Sequence, residues 1–108
     1  LLALCVHLNR RHGYHHGLYG ELLGALKPDL DTARLTATEK DGLFETELFS
    51  LNDFFRREYG VPTKLSEMGI SREELAAVAK QARYDGAALY NKQEITEEVA
   101  FTILEAAY

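Results

Sequence analysis

The sequence predicts an all-α fold, a helical bundle of about five to six helices. Apolar residues recur at three- and four-residue spacings in five separate stretches, as they do on the buried face of a helix. Capping residues and glycine stops bound several of these stretches. No stretch shows the alternating pattern of a half-buried strand. With 108 residues the chain is long enough for one domain, so we expect residues 1–108 to form a single all-α domain.

The first part of the chain predicts two helices separated by glycines. Leu1, Leu4 and Leu8 have helical spacing, and the first helix is expected to end at about residue 12. Gly13 and Gly17 interrupt the pattern. A second apolar pattern begins immediately after Gly17 and continues to residue 26, which predicts the second helix.

Glycine and proline shape the end of this second helix and the stretch that follows it. Gly20 and Gly24 lie four residues apart inside the helix, a spacing that often permits close approach of another helix. Pro28 ends the helix, because the residue before a proline disfavours the helical region. Residues 29–42 are expected to be mixed turn and loop, with a short helix capped by Asp31 as the alternative.

The longest predicted helix runs from Leu43 to Tyr59, and Gly60 follows it as a C-terminal stop. We expect its apolar face to be buried, with these members: Phe44, Leu48, Leu51, Phe55 and Tyr59. On that assignment, Leu51→Ala would destabilise the fold by roughly 2–4 kcal/mol.

Two further helices are predicted in the last forty residues, after a short helical turn at residues 64–68. Ser71 and Glu74 form a capping-box pattern at the start of a helix that runs to about Tyr84. Thr96 caps the last helix, whose acidic first turn suits the positive end of the helix. The buried faces are expected to contain Leu75, Val78, Ala79, Ala82, Val99, Ile103, Leu104 and Ala107.

Composition excludes several classes of protein. The net charge is -5 and no basic stripe is present, so we expect no nucleic-acid partner. No apolar run is long enough to span a membrane, and no signal-peptide pattern is present, so we expect no membrane partner and a cytoplasmic location. Cys5 is the only cysteine, which excludes an internal disulfide, and its apolar neighbours predict a small buried hydrophobe.

The start of the chain resembles the interior of an amphipathic helix. Residues 1–6 are apolar and lack an initiator methionine or a basic leader. We interpret the chain as a fragment, a processed product, or a chain whose earlier part is missing.

All four histidines lie between positions 7 and 16: His7, His12, His15 and His16. Imidazole is the commonest metal ligand in proteins, and His12 and His16 would share one face if the helix continued through Gly13. A catalytic metal site needs about three protein ligands. The residues alone favour surface histidines around a turn, because no acidic partner stands at fixed spacing. A stand-alone metal-binding protein using the four histidines is a further alternative.

Several segments resemble the carboxyl-terminal end of the iron-containing alcohol dehydrogenase family, most closely its butanol-dehydrogenase-like branch. The first is the helix with the His12-Gly13 and His16-Gly17 steps, and the second is the loop at residues 60–67, Gly-Val-Pro-Thr-Lys-Leu-Ser-Glu. The third comprises residues 95–99 and the terminal Ala-Ala-Tyr. The resemblance is good over residues 44–108, fair over 2–26 and poor over 27–43.

The resemblance implies a metal-dependent enzyme that oxidises alcohols or reduces aldehydes with NAD(P). His16 matches the family's last metal-ligand histidine, the metal being iron or zinc, and His12 or His15 would line the cleft or serve as auxiliary ligands. The nucleotide-binding domain would precede residue 1 as a missing partner, and the family is usually dimeric, so a homodimer is an expected partner state. The 108-residue chain alone is expected to be inactive.

Two positions depart from the family pattern. Leu2 and Val6 stand where the family has histidines, so at most one of four protein ligands is present. A substitute set of His7, His12 and His16 is one alternative. The other is a non-catalytic helical scaffold or interaction module derived from the same fold.

Overall fold

The computed structural model describes all residues 1–108, and every regular element in it is helical. The five α-helices are α1 (Leu2–Arg11), α2 (Leu18–Leu26), α3 (Ala37–Tyr59), α4 (Glu74–Ala82) and α5 (Glu97–Ala106). Two short 3₁₀ segments, Leu65–Met68 and Gly86–Tyr90, lie on either side of α4. The all-α prediction is therefore confirmed, as is the short helical turn before α4.

The helices pack as two pairs joined by α1. Helix α2 packs on α3 and helix α4 packs on α5, while α1 contacts both α3 and α5. In the α4–α5 pair the apolar core comprises Leu65, Leu75, Ala79, Ala100, Leu104 and Ala107. The backbone N–H of Leu65 donates to the carbonyl of Ala107 at 2.9 Å, which holds the first 3₁₀ segment against the end of α5.

Two of the predicted helix starts have the expected side-chain hydrogen bonds. The hydroxyl of Thr96 accepts from the Val99 N–H at 3.2 Å, so the cap of α5 is confirmed. The Glu74 carboxylate accepts from the Ser71 N–H at 2.7 Å. The Glu74 amide donates to the Ser71 carbonyl instead of its hydroxyl, and α4 therefore starts at Glu74, two residues later than a complete capping box would place it.

Helix α3 begins six residues earlier than predicted, at Ala37 instead of Leu43. The cause is a complete capping box: the Thr36 hydroxyl accepts from the Glu39 N–H, and the Glu39 carboxylate accepts from the Thr36 N–H at 2.7 Å. The backbone N–H and the hydroxyl of Thr36 both donate to the Glu39 carboxylate and lower its pKa below the usual value. The alternative helix capped by Asp31 is absent, because Asp31 closes only a local turn by accepting from the Ala33 N–H.

The expected buried face of α3 is wrong in its second half. Leu51 is 39% exposed, and Phe55 and Tyr59 are also exposed. A groove between the end of α2 and residues 47–54 of α3 marks where the covering helix stops. The earlier expectation of 2–4 kcal/mol for Leu51→Ala is therefore replaced by a cost below about 1 kcal/mol. Val78 on α4 is likewise exposed, and α4 ends at Ala82 instead of Tyr84.

The two glycines of α2 have different surroundings. A Cβ atom at Gly20 would lie 2.7 Å from the Cβ of Lys40, so the backbones of α2 and α3 approach closely there. A Cβ atom at Gly24 would meet nothing within 4 Å. The predicted close approach is confirmed at Gly20 alone.

This contrast predicts opposite effects for the same substitution. Gly20→Ala should destabilise the fold by about 1–3 kcal/mol, because Lys40 is held there by its own helix and must move. Gly24→Ala is the matched control and should stabilise by up to about 1 kcal/mol, since alanine is the better helix former. Urea unfolding followed by circular dichroism measures both. Equal effects at the two positions would contradict the α2–α3 packing.

Candidate functional site

The turn between α1 and α2 carries three of the four histidines. His12 follows the last residue of α1, and Gly13, His15 and Gly17 all have positive φ angles, at 75°, 59° and 83°. This left-handed backbone breaks the helix, so His12 and His16 do not share a continuous helix face as the sequence allowed. The conformation is easy for glycine and uncommon for the histidine at position 15.

A buried carboxylate lies beneath this turn. Asp41, near the start of α3, is only 2% exposed. Its two oxygens accept from the backbone N–H groups of Gly17 and Gly20, each at 2.7 Å. These donors belong to the first turn of α2, where unpaired N–H groups and the helix dipole both favour a negative charge. Asp41 therefore caps α2 from the neighbouring helix.

His16 is the histidine that meets this carboxylate. Its Nδ1 lies 3.6 Å from Asp41 Oδ2, a distance for an ion pair and longer than a hydrogen bond. The His16 side chain is nevertheless 63% exposed, so the rest of the ring faces solvent. A small cleft of about 60 Å³ beside the pair is also lined by Arg10, Tyr14 and Thr38. The arrangement presents an accessible imidazole above a fixed negative charge.

The remaining histidines have separate surroundings. His7 Nδ1 lies 2.7 Å from Glu45 Oε1, and Arg10 pairs with the other oxygen of the same carboxylate. Burial raises the pKa of Glu45, but the hydrogen bonds from His7 and Arg10 outweigh it and lower that pKa overall. His15 packs its ring edge against Tyr19, with centroids 5.7 Å apart. The clustering of histidines in the sequence does not become one cluster in space.

The histidines do not form a complete metal site. No group of three or more His, Cys, Asp or Glu side chains is placed to hold a metal ion, so the His7, His12 and His16 set is not brought together. His16 and Asp41 are two donors, and a catalytic site needs about three. Of the two positions at which the resemblance implies histidines, Val6 is buried in the core and Leu2 is exposed. A metal centre would need ligands from outside this chain.

Asp41 is the residue that sequence reasoning missed. It stands 25 positions after His16, and no local motif connects the two. The only signal was the pair of small residues, Gly17 and Gly20, whose exposed N–H groups an acidic side chain can reach. That signal becomes specific only when α3 is known to pack against them.

Comparison with known proteins adds no relative. No protein-family model, no curated protein and no solved structure matches the chain. None of the helices combines the length and the apolar character that crossing a bilayer requires. The class defined by fold and site is an all-α chain with an accessible histidine beside a buried carboxylate.

Proposed function

We propose that this chain is the C-terminal helical domain of a metal-dependent NAD(P) alcohol dehydrogenase or aldehyde reductase. In this proposal it contributes one metal ligand, His16, and one wall of the substrate cleft. The remaining ligands and the nucleotide-binding domain would come from polypeptide upstream of residue 1. The resemblance of residues 44–108 to the family motivates the assignment.

The observation that carries the proposal is the pairing of His16 with Asp41. Histidines that ligate metals commonly direct their second ring nitrogen toward a carboxylate, which orients the ring and raises its basicity. Here Nδ1 is turned toward Asp41, at 3.6 Å, in a side chain that remains 63% exposed. Nε2 is then the atom available to a metal from the solvent side. Because two backbone N–H groups hold Asp41, the carboxylate keeps a fixed position.

The chemistry assigned to the chain's own residues is limited to binding and orientation. A bound iron or zinc ion would polarise the alcohol or carbonyl oxygen as a Lewis acid. His16 would hold one coordination position, and Asp41 would fix the direction of its ring. His12 and His15 lie on the same turn and, in the proposal, would border the cleft.

Exposed apolar surface supports the presence of a larger partner. The radius of gyration is 15.3 Å, compared with about 13 Å for a compact domain near this length. Exposed large hydrophobic residues on α2 and the second half of α3 include Leu18, Leu22, Leu26, Leu51, Phe54 and Phe55. Leu26, Leu51 and Phe54 border one groove, and exposed apolar surface of this kind is typical of an interface. We assign it to contacts with the missing part of the enzyme.

A non-catalytic helical interaction module is the second candidate function. Leu2 and Val6 favour it, because neither side chain can ligate a metal. The same exposed apolar surface would then dock on another protein. The coding sequence upstream of residue 1 discriminates between the two functions. An Asp-x-x-x-His pair and a glycine-rich phosphate loop there would support the enzyme, and their absence would support the module.

Substitution of His16 tests the ligand assignment in the complete natural polypeptide. We expect His16→Ala to lower zinc affinity at least about tenfold, because the substitution removes the proposed metal ligand itself. The helical content should stay unchanged. Metal content after dialysis and circular dichroism measure the two effects. His7→Ala is the matched control, because the His7 ring pairs with Glu45 instead of Asp41 and lies outside the proposed site. Unchanged zinc affinity in His16→Ala would remove the basis of the proposal.

A further inference from the structure

A largely apolar cavity of about 310 Å³ lies between α1, α5 and the segment that follows α4. Ten of its twelve lining residues are hydrophobic, among them Leu8, Ala88 and Ile103. None of the four histidines lines it, so it is separate from the His16–Asp41 pair. Neither of the functions proposed above assigns a role to this space.

The lining defines the charge of a suitable ligand. No Asp, Glu, Lys or Arg side chain borders the cavity. A cation would lose its hydration there and meet only the positive charge of the Leu1 α-amino group, which carries a large cost. A neutral molecule with an apolar body loses little hydration and gains contact with the aliphatic walls. The cavity therefore selects against cations.

Two asparagines define the polar group that the ligand should carry. The Asn9 amide donates to Asn91 Oδ1 at 3.2 Å and to the Tyr19 hydroxyl at 3.3 Å. The Asn91 amide donates to Asn9 Oδ1 at 3.3 Å and to the Gln93 carbonyl at 2.9 Å. Both amide N–H groups of each residue are thus used, while each Oδ1 keeps one free lone pair. The side chains of Asn9 and Asn91, which both line the cavity, can therefore accept a further hydrogen bond and have no free N–H group to donate.

The volume limits the size of the ligand. An engineered cavity of about 150 Å³ with similar aliphatic walls holds one benzene molecule. A cavity of 310 Å³ is about twice that size and fits a bicyclic or medium-chain molecule of roughly ten to twelve heavy atoms. We propose that this cavity is a binding site for a neutral, apolar small molecule of that size with a single hydrogen-bond donor.

Cys5 provides a reporter for the occupied cavity, because its side chain is part of the lining. Burial raises the pKa of this thiol, so alkylation near neutral pH is slow and depends on access to the cavity. A bound molecule should block that access. The thiol is a probe of the site and has no part in holding the ligand.

The test compares two ligands of the same shape on the 108-residue chain, without metal or nicotinamide. 2-Naphthalenemethanol is neutral and carries one donor, and 2-naphthylmethylammonium is its charged counterpart. We expect the alcohol to bind with one site per chain by calorimetry, and the ammonium to bind at least about tenfold more weakly. The alcohol should also slow iodoacetamide alkylation of Cys5 about fivefold or more at saturation.

Two substitutions separate the cavity from other apolar surface. Ala88→Phe places a ring in the cavity and should abolish binding of the alcohol. Ala106→Phe makes the same change at an exposed position of α5 that does not line the cavity, and should leave binding unchanged. Helical content by circular dichroism verifies that each variant folds.

Failure of this inference has its own signature. Absence of Cys5 protection by the alcohol in the unsubstituted chain would overturn it, and this readout needs no variant to fold. Equal affinity of the alcohol and the ammonium, or undiminished binding in a folded Ala88→Phe variant, would also overturn it. None of these results depends on His16, so the proposed function is tested independently.

Discussion

Leu23→Ala should destabilise the chain by about 2–5 kcal/mol. Leu23 is the only fully buried large side chain of α2, with 0% of its surface exposed, and its removal leaves a cavity between the helices. Leu22→Ala is the matched control, since Leu22 is the adjacent residue on the same helix and is 46% exposed. Its cost should stay below about 1 kcal/mol. Chemical unfolding of both variants measures the difference.

The comparison tests which face of α2 meets α3. If Leu22→Ala proved as costly as Leu23→Ala, the face of α2 that carries Leu22 would also be buried. Such a result would also indicate that the exposed apolar surface is already covered, for example by self-association. Repeating the unfolding at several protein concentrations distinguishes these two explanations, because association makes stability depend on concentration.

Asp41→Ala should destabilise the chain by about 2–4 kcal/mol. The substitution leaves the N–H groups of Gly17 and Gly20 without their acceptor and removes the negative charge from the first turn of α2. Asp41→Asn should cost less, because the amide oxygen still accepts from one of the two groups. Thermal unfolding measures both variants.

An exposed aspartate on the same helix supplies the control. Asp53 is exposed, and no hydrogen bond involves its side chain. Asp53→Ala should therefore change stability by no more than about 0.5 kcal/mol. Asp41→Ala with an equally small effect would contradict the account of Asp41 as the cap of α2.

Most helices could be predicted from local pattern, because their boundaries depend on local chemistry. Pro28 and the apolar spacing located the end of α2, and the Thr96 hydroxyl located the start of α5. Thr36 and Glu39 have the sequence pattern of a capping box. The start of α3 was missed nevertheless, because the threonines and Gly42 in that stretch favoured a loop. A satisfied cap outweighs such unfavourable residues.

Burial was less predictable than helix position. The apolar spacing of α3 identifies a face correctly but does not state whether a partner helix reaches all of it. Helix α2 has nine residues and α3 has twenty-three, so α2 covers only part of α3 and Leu51 remains exposed. How far α2 extends along α3 depends on the tertiary structure, so the sequence of α3 alone cannot predict which of its apolar residues are buried.

The candidate site was half predictable. His16 was singled out only through the resemblance of its His-Gly step to a segment of the dehydrogenase family. Asp41 could not be singled out, because its pairing depends on the close packing of α2 on α3 at Gly20. The alternative metal set of His7, His12 and His16 is not brought together, because the left-handed residues of the turn end the helix between His12 and His16.

Our central proposal is that His16 belongs to a metal site completed by polypeptide outside these 108 residues. Elemental analysis of the protein from its natural source, after dialysis and with the intact mass taken on the same sample, tests it most directly. The account predicts about one iron or zinc per chain and a mass well above 12.2 kDa. A mass of 12.2 kDa without metal would contradict it and identify a helical module with no metal chemistry.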